Sequence, residues 1–170
     1  DKVEIIPETD YAYTMTNEVE PYLAKKRTDD FFLSADGKKI HYEAYEKLLS
    51  RGSIVILHGF TESAEKFRET AYYFLKAGYS VFSLDLRGHG KSYHDSDNPF
   101  RVDIDSFDSY ADDINIFIDK IVRSLSKEKN ICIYSHSLGS NAALLYMMKY
   151  PHSVSKAVLS SPMICGNMGM

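Results

Sequence analysis

The sequence predicts an α/β domain: a mostly parallel sheet with helices on both faces, entered through an N-terminal β-hairpin. Three observations carry this reading. From residue 52 onward, short continuous apolar runs alternate with helical stretches, the pattern of parallel strands joined by crossover helices. Ahead of them, two alternating runs flank Ala35-Asp36-Gly37-Lys38, an Asp-Gly turn suited to a hairpin. Finally, the apolar strand Ile131 to Tyr134 runs through a very tight turn into a helix full of small residues.

Residues 1–27 are polar and tyrosine-rich, with Pro7 and Pro21 and no sustained period. They are expected to form an extension on the surface, with at most a short helical piece, leaving a core domain over 28–170. Lys25-Lys26-Arg27, followed at once by Asp29-Asp30, reads as a solvated linker. The hairpin strands are Asp30 to Ser34 and Lys39 to Tyr45, with His41 as a partly exposed cross-strand residue. Ser53 to Leu57 is a strand covered on both faces. A helix over Glu62 to Ala77 places Phe67, Ala71, Phe74 and Leu75 on one face and stops at Gly78. Tyr79 to Leu84 is the next buried strand. The cleanest helical signal is Asp105 to Leu125, where Phe107, Tyr110, Ala111, Ile114, Phe117, Ile118, Ile121, Val122 and Leu125 recur at three- and four-residue intervals. After the tight turn come a helix from Leu138 to Lys149, ended by Tyr150-Pro151, and a strand from Val154 to Ser160.

Composition narrows the function. Apolar residues make up 44% of the 170 and charged residues 26%, the proportions of a globular protein with one real core. A net charge of −4 with interspersed signs lacks the basic stripe of a nucleic-acid footprint. No apolar stretch approaches the roughly 18 residues of a membrane span. Cys132, inside an expected buried strand, and Cys165 form no disulfide framework, which fits a reducing, cytoplasmic setting. The chain begins at Asp1, so any signal peptide lies outside the sequence and secretion stays open. The sequence is silent on oligomeric state.

Chemistry concentrates at three strand ends. In Ser135-His136-Ser137-Leu138-Gly139 the turn is sharp enough to force positive φ on its central residue, and it crowds Ser135 and Gly139 together, so both must be small. Ser137 Oγ would stand at the C-terminal end of a central strand. The Leu138 amide, unpaired at the helix N-terminus, can face a developing oxyanion. The plainer alternative is a strand-to-helix turn with a serine N-cap. The strand ending at Leu57 continues into His58-Gly59-Phe60-Thr61, where Gly59 permits a sharp turn and the Phe60 amide can serve as a second oxyanion donor. His58 belongs to that turn and is expected to hydrogen-bond structurally. The next strand ends in Asp85-Leu86-Arg87-Gly88-His89-Gly90-Lys91-Ser92. Its Gly90-Lys91-Ser92 resembles a phosphate-loop tail, but Asp85 stands where that loop requires glycine, so the stretch reads as a compact turn tied by Asp85 and Arg87. His89 is expected to line the cleft without chemistry, and His94 and His152 to be solvated. The scattered histidines and cysteines offer no metal-ligand spacing, and no cofactor is expected.

The four ordered motifs His58-Gly59-Phe60, Asp85 to Ser92, Ser135 to Gly139 and Leu159-Ser160-Ser161-Pro162-Met163 resemble the lysophospholipase and monoacylglycerol lipase branch of the serine α/β hydrolases. The match covers about residues 30 to 165. The resemblance implies an α/β-hydrolase fold with Ser137 as nucleophile, the Phe60 and Leu138 amides as oxyanion hole, and Ser135, Gly139, His58 and Gly59 as support. It implies hydrolysis of small acyl esters or lipid-like substrates through an acyl-enzyme. Other chemistry of the same fold (thioesterase or peptidase) and a non-catalytic binding module are the alternatives. In this family the acid and histidine follow the serine, yet residues 161–170 contain no Asp, Glu or His. His152 is the one histidine beyond the turn. The expectation is therefore an N-terminal portion of a hydrolase, with the remaining strands and the cap absent from this chain.

Overall fold

The computed structural model describes residues 3–95, 98, 101–102, 104–126 and 129–164. Cys165 lies outside them. The described strands are β1 (Arg27–Leu33), β2 (Lys39–Tyr45), β3 (Ser53–Leu57), β4 (Ser80–Leu84), β5 (Ile131–His136) and β6 (Lys156–Ser160). They form one sheet in the order β1-β2-β4-β3-β5-β6. The hairpin β1/β2 and the pair β2/β4 are antiparallel, whereas β4, β3, β5 and β6 run parallel. The apolar runs Ser53–Leu57 and Ser80–Leu84 are buried at every position, as strands covered on both faces must be.

Helices cover both faces. On one, α3 spans residues 108–125 through Asp108–Ile116, a π-helical stretch Phe117–Val122 and a last turn Arg123–Leu125. Beside it, α4 (Leu138–Lys149) helps bury Tyr110, Ile114, Phe117, Ala142 and Tyr146 against Val55, Leu57, Phe82 and Ile133. On the other face, α2 (Arg68–Lys76, entered through a 3₁₀ turn Ala64–Phe67) sets Phe67, Ala71 and Leu75 against Ile54, Ile56 and Val81. Gly78 ends α2 at φ +97°.

The structure corrects several expectations. Residues 8–24 form a continuous helical stretch, α1 (Glu8–Asp10, Tyr11–Thr14, Met15–Val19 and Glu20–Ala24), in place of a mostly irregular extension. Val19 and Leu23 from α1 are fully buried in the same cluster as α2. The basic–acidic run is not a linker: Arg27, Asp29 and Asp30 already belong to β1, paired with Tyr45, Glu43 and Tyr42. Phe107 fits the period of α3 but precedes its first turn, and is exposed, lying edge-on to Tyr110. Cys132 is half-buried, because alternate β5 side chains face the less covered side of the sheet.

Candidate active site

Parallel strands β4, β3, β5 and β6 end together, so the turns that follow them form one rim. Ser137 sits between β5 and α4 at φ 49°, ψ −114°, the positive φ expected for the tight turn. It occupies the N-cap position of α4, yet its side chain makes no capping hydrogen bond. A serine N-cap normally uses its oxygen for an orphan amide of the first turn, and Ser137 does not. The turn is held instead by its backbone. Ser137 N–H donates to Ser160 O (3.0 Å), while the Ser140 and Asn141 amides donate to Ser137 O.

Gly139 is confined more tightly than the sequence suggests. A methyl group there would lie 2.4 Å from Leu57 O and 2.5 Å from His58 O. The tightest crowding at Gly139 is therefore against the backbone at the end of β3. Ser135 is fully buried, its hydroxyl 3.0 Å from Ser140 Oγ, so it ties β5 to α4.

On the neighbouring rim, the turn after β3 passes within contact of the serine: a methyl group on Gly59 would lie 3.2 Å from Ser137 Cβ. The turn closes with Glu62 N–H donating to Gly59 O, and Thr61 takes φ 58°. His58 is fully buried. Its Nδ1–H donates to Gly59 O (2.8 Å) and its Nε2 accepts from Leu86 N–H (2.9 Å). Burial drives its pKa down to about 4, so it is neutral and structural, as the sequence indicated. Among the described residues, neither the Phe60 nor the Leu138 amide donates to another backbone carbonyl.

The Asp85–Ser92 turn is built around its own carboxylate. Asp85 accepts from Ala64 N–H (2.6 Å), Lys91 N–H (2.9 Å) and His41 Nδ1–H (2.7 Å). Gly90, at φ 54°, wraps so closely that a methyl group would meet Asp85 Oδ2. Arg87 forms bidentate pairs with Asp36 and Asp113, joining the turn to the hairpin and to α3. His41 is buried, not partly exposed: its Nε2–H also donates to Asp29 (2.9 Å). Burial works against its charge, but the two carboxylates outweigh it and raise the His41 pKa. His89 is buried beside His58 and Phe60, its Nδ1–H donating to Arg87 O. His94 is half-buried against Gly90 O instead of solvated. His152 is exposed at the start of β6, the end of the sheet opposite Ser137.

Two residues at the centre, Glu62 and His136, were given no role of their own from the sequence. Glu62, read only as the start of a helix, reaches back to accept Gly59 N–H (2.7 Å) and His136 Nδ1–H (3.2 Å). Burial opposes its ionisation, but Lys66, the Gly59 amide and His136 prevail and hold its pKa at about 2. The sequence signal was a glutamate three residues beyond Gly59, too generic to stand out. Among the described residues, no group of three or more His, Cys, Asp or Glu side chains is placed to hold a metal ion, and no helix is long and apolar enough to cross a membrane.

Comparison with known proteins bears on the fold and the family. The chain is 34% identical over 131 residues to a probable lysophospholipase L2 of Haemophilus influenzae, covering 74% of this chain and 41% of that protein. It is 27% identical over 149 residues to a monoacylglycerol lipase of Mycolicibacterium smegmatis, covering 87% and 51%. The chain thus spans about half or less of the length of these relatives. Among solved structures, a thermostable carboxyl esterase from Bacillus coagulans in complex with glycerol superposes at TM-score 0.68 with 26% identity, over 79% of this chain and 44% of that one. An esterase from Pyrococcus furiosus shares the fold at TM-score 0.68 and 22% identity, over 86% and 56%. The family of serine aminopeptidases, S33, matches residues 49–170, and this α/β-hydrolase chain belongs to it.

Proposed function

We propose that Ser137 is the nucleophile of a carboxylic-ester hydrolase that cleaves lipid-like acyl esters, of the lysophospholipase or monoacylglycerol lipase type. Ser137 Oγ attacks the ester carbonyl carbon, and the Phe60 and Leu138 amides stabilise the oxyanion. The alcohol leaves with a proton, and water then releases the carboxylic acid from the acyl-enzyme. Ser135, Gly139, His58 and Gly59 support the two turns. The observation that carries the reading is a serine held at positive φ on a strand end with its hydroxyl withheld from the helix cap. The relatives named for lipid-ester hydrolysis, and the esterase of solved structure, support ester over amide cleavage.

Among the described residues no histidine hydrogen-bonds Ser137. His58 and His41 are buried in structural bonds, while His89 Nδ1–H donates to Arg87 O and His136 Nδ1–H to Glu62. His94 lies against Gly90 O, and His152 precedes β6 at the end of the sheet opposite Ser137. The base and its acid are assigned to no residue of this chain, which spans about half or less of the length of these relatives. The proposed setting is cytoplasmic, and the division into residues 1–27 and a core over 28–170 is kept as a sequence division.

The test is ester turnover by the whole protein and its Ser137→Ala variant, on monoacylglycerol, lysophospholipid and p-nitrophenyl esters, with a p-nitroanilide for peptidase activity. The reading expects ester cleavage by wild type, none above background in Ser137→Ala, and unchanged circular dichroism. Ordinary turnover by the variant overturns it. Preferential anilide cleavage would favour the peptidase after which the family is described.

A further inference from the structure

The Phe60 amide can act on an oxyanion only if it is aimed before substrate arrives, and the structure shows how its aim is set. The peptide group between Gly59 and Phe60 is planar and trans, so its carbonyl and its N–H point in opposite directions. That carbonyl accepts two hydrogen bonds, from His58 Nδ1–H (2.8 Å) and from Glu62 N–H (3.2 Å). Rotating the plane to re-aim the Phe60 N–H would break both. The preceding peptide is held by its N–H, which donates to Glu62 Oε2 at 2.7 Å.

The same Glu62 Oε2 also accepts from His136 Nδ1–H, and His136 is the last residue of β5, immediately before Ser137. One carboxylate oxygen thus spans the gap between the turn carrying the Phe60 amide and the turn carrying the Leu138 amide. The crowding at Gly59 reports the same convergence. A methyl group there would meet Glu62 Oε2 at 2.8 Å, His136 Nδ1 at 2.9 Å and Ser137 Cβ at 3.2 Å. Lys66 occupies the other carboxylate oxygen, Oε1, and leaves Oε2 to the two rim donors. Its depressed pKa keeps Glu62 an ionised acceptor at neutral pH.

We propose that Glu62 is a positioning residue, a tie that fixes the two oxyanion-donor turns at one separation; this rests on the reading of Ser137 as nucleophile. Glu62 touches no reacting atom in this role. Its effect is felt through the Phe60 and Leu138 amides, whose stabilisation of charge depends on a correct distance from a single point.

The experiment compares wild type, Glu62→Ala, Glu62→Gln and Ser137→Ala in the whole protein, reading kcat and KM on a p-nitrophenyl ester and hydrogen exchange at Gly59. Removing one oxyanion donor costs about 10²–10³ in kcat, so loosening one through Glu62→Ala is expected to cost about 10–100-fold, with KM within about threefold. Exchange at Gly59, whose amide is bonded to Glu62, should quicken by about tenfold or more in Glu62→Ala. Glu62→Gln keeps a carbonyl acceptor for the Gly59 amide, and should restore kcat to within about fivefold of wild type. Should Glu62→Ala fold poorly, Glu62→Met, which keeps the side-chain bulk but offers the Gly59 amide no oxygen acceptor, takes its place: wild-type kcat and wild-type exchange in that variant, at equal Tm, overturn the tie. Wild-type exchange or wild-type kcat in a folded Glu62→Ala also overturns it. Failure of the underlying reading looks different, since Ser137→Ala would then turn over ester as wild type does.

Discussion

Replacing Gly139 by alanine is the sharpest test of how the serine turn is built. The added methyl group would sit 2.4 Å from Leu57 O and 2.5 Å from His58 O, whereas real Cβ contacts essentially never fall below 3.0 Å. Both obstructing atoms are backbone, at the end of a strand bonded on each side, so neither can swing away. The N-terminus of α4 must retreat from β3 by about 0.6 Å or more, and overpacking of this kind costs about 1–3 kcal/mol. With backbone as the obstruction, about 3 kcal/mol is expected. At about 2–4 °C per kcal/mol for a chain of this size, Tm falls by about 6–12 °C. The retreat carries Ser137 and the Leu138 amide with it, so labelling of Ser137 by a fluorophosphonate should slow by about tenfold or more. Gly37→Ala is the internal control. Gly37, unlike the helical Gly139, has positive φ (77°), but a methyl group there meets nothing within 4 Å. It should cost about 1–2 kcal/mol and leave labelling unchanged. A Gly139→Ala protein that melts and labels like wild type would refute the argument.

The remaining predictions concern the groups behind the rim. Arg87→Met removes the guanidinium from Asp36 and leaves Asp113, 2% exposed, as a buried carboxylate without its partner. A loss of about 3–5 kcal/mol in urea unfolding is expected, and Arg87→Lys should recover little because it cannot reproduce two forks. Stability should also fall on both sides of neutrality. His58, with its folded pKa lowered from 6.5 to about 4, contributes fully above pH 6.5 and loses of order 3 kcal/mol as pH drops toward 4, because the unfolded chain takes up the proton first. His41 has the opposite sign: its folded pKa is raised, so its contribution is complete below 6.5 and disappears as pH climbs through the folded value. Urea midpoints measured from pH 4 to 9 should therefore peak near neutrality, and His41→Gln should flatten the alkaline limb alone. Unchanged alkaline behaviour in that variant would show that Asp85 and Asp29 do not hold a charged imidazole.

What the sequence revealed, and what it hid, follows the range of the interactions. The strands Ser53–Leu57 and Ser80–Leu84 and the helix Leu138–Lys149 announce themselves through local composition, and the structure places them within a residue of expectation. The conformation of Ser137 was equally legible, because a strand, one serine and a helix with no spacer leave the chain a single way to turn. The α1 stretch was hidden because only Val19 and Leu23 anchor it fully, among tyrosines that sit at the surface, so no amphipathic period builds up. Burial of His41 depends on Asp85, 44 residues away, and Glu62 meets His136 across 74 residues. No window along the chain contains both members of either pair. Their roles came into view only when the topology brought β2, β4 and β5 to one rim.

The Asp85 carboxylate, enclosed by the Gly90–Lys91 backbone and by Ala64 N–H, has a consequence for how this rim responds to its surroundings. Loops of similar outline stand open until an external phosphate organises them. Here the anion is part of the polypeptide, tethered six residues from the amide it satisfies, and it cannot be diluted, competed away or exchanged. The loop is a lock delivered with its key already turned. The Ala64 and Lys91 amides are already taken by Asp85, so the neighbouring turns rest on a group that the chain itself supplies.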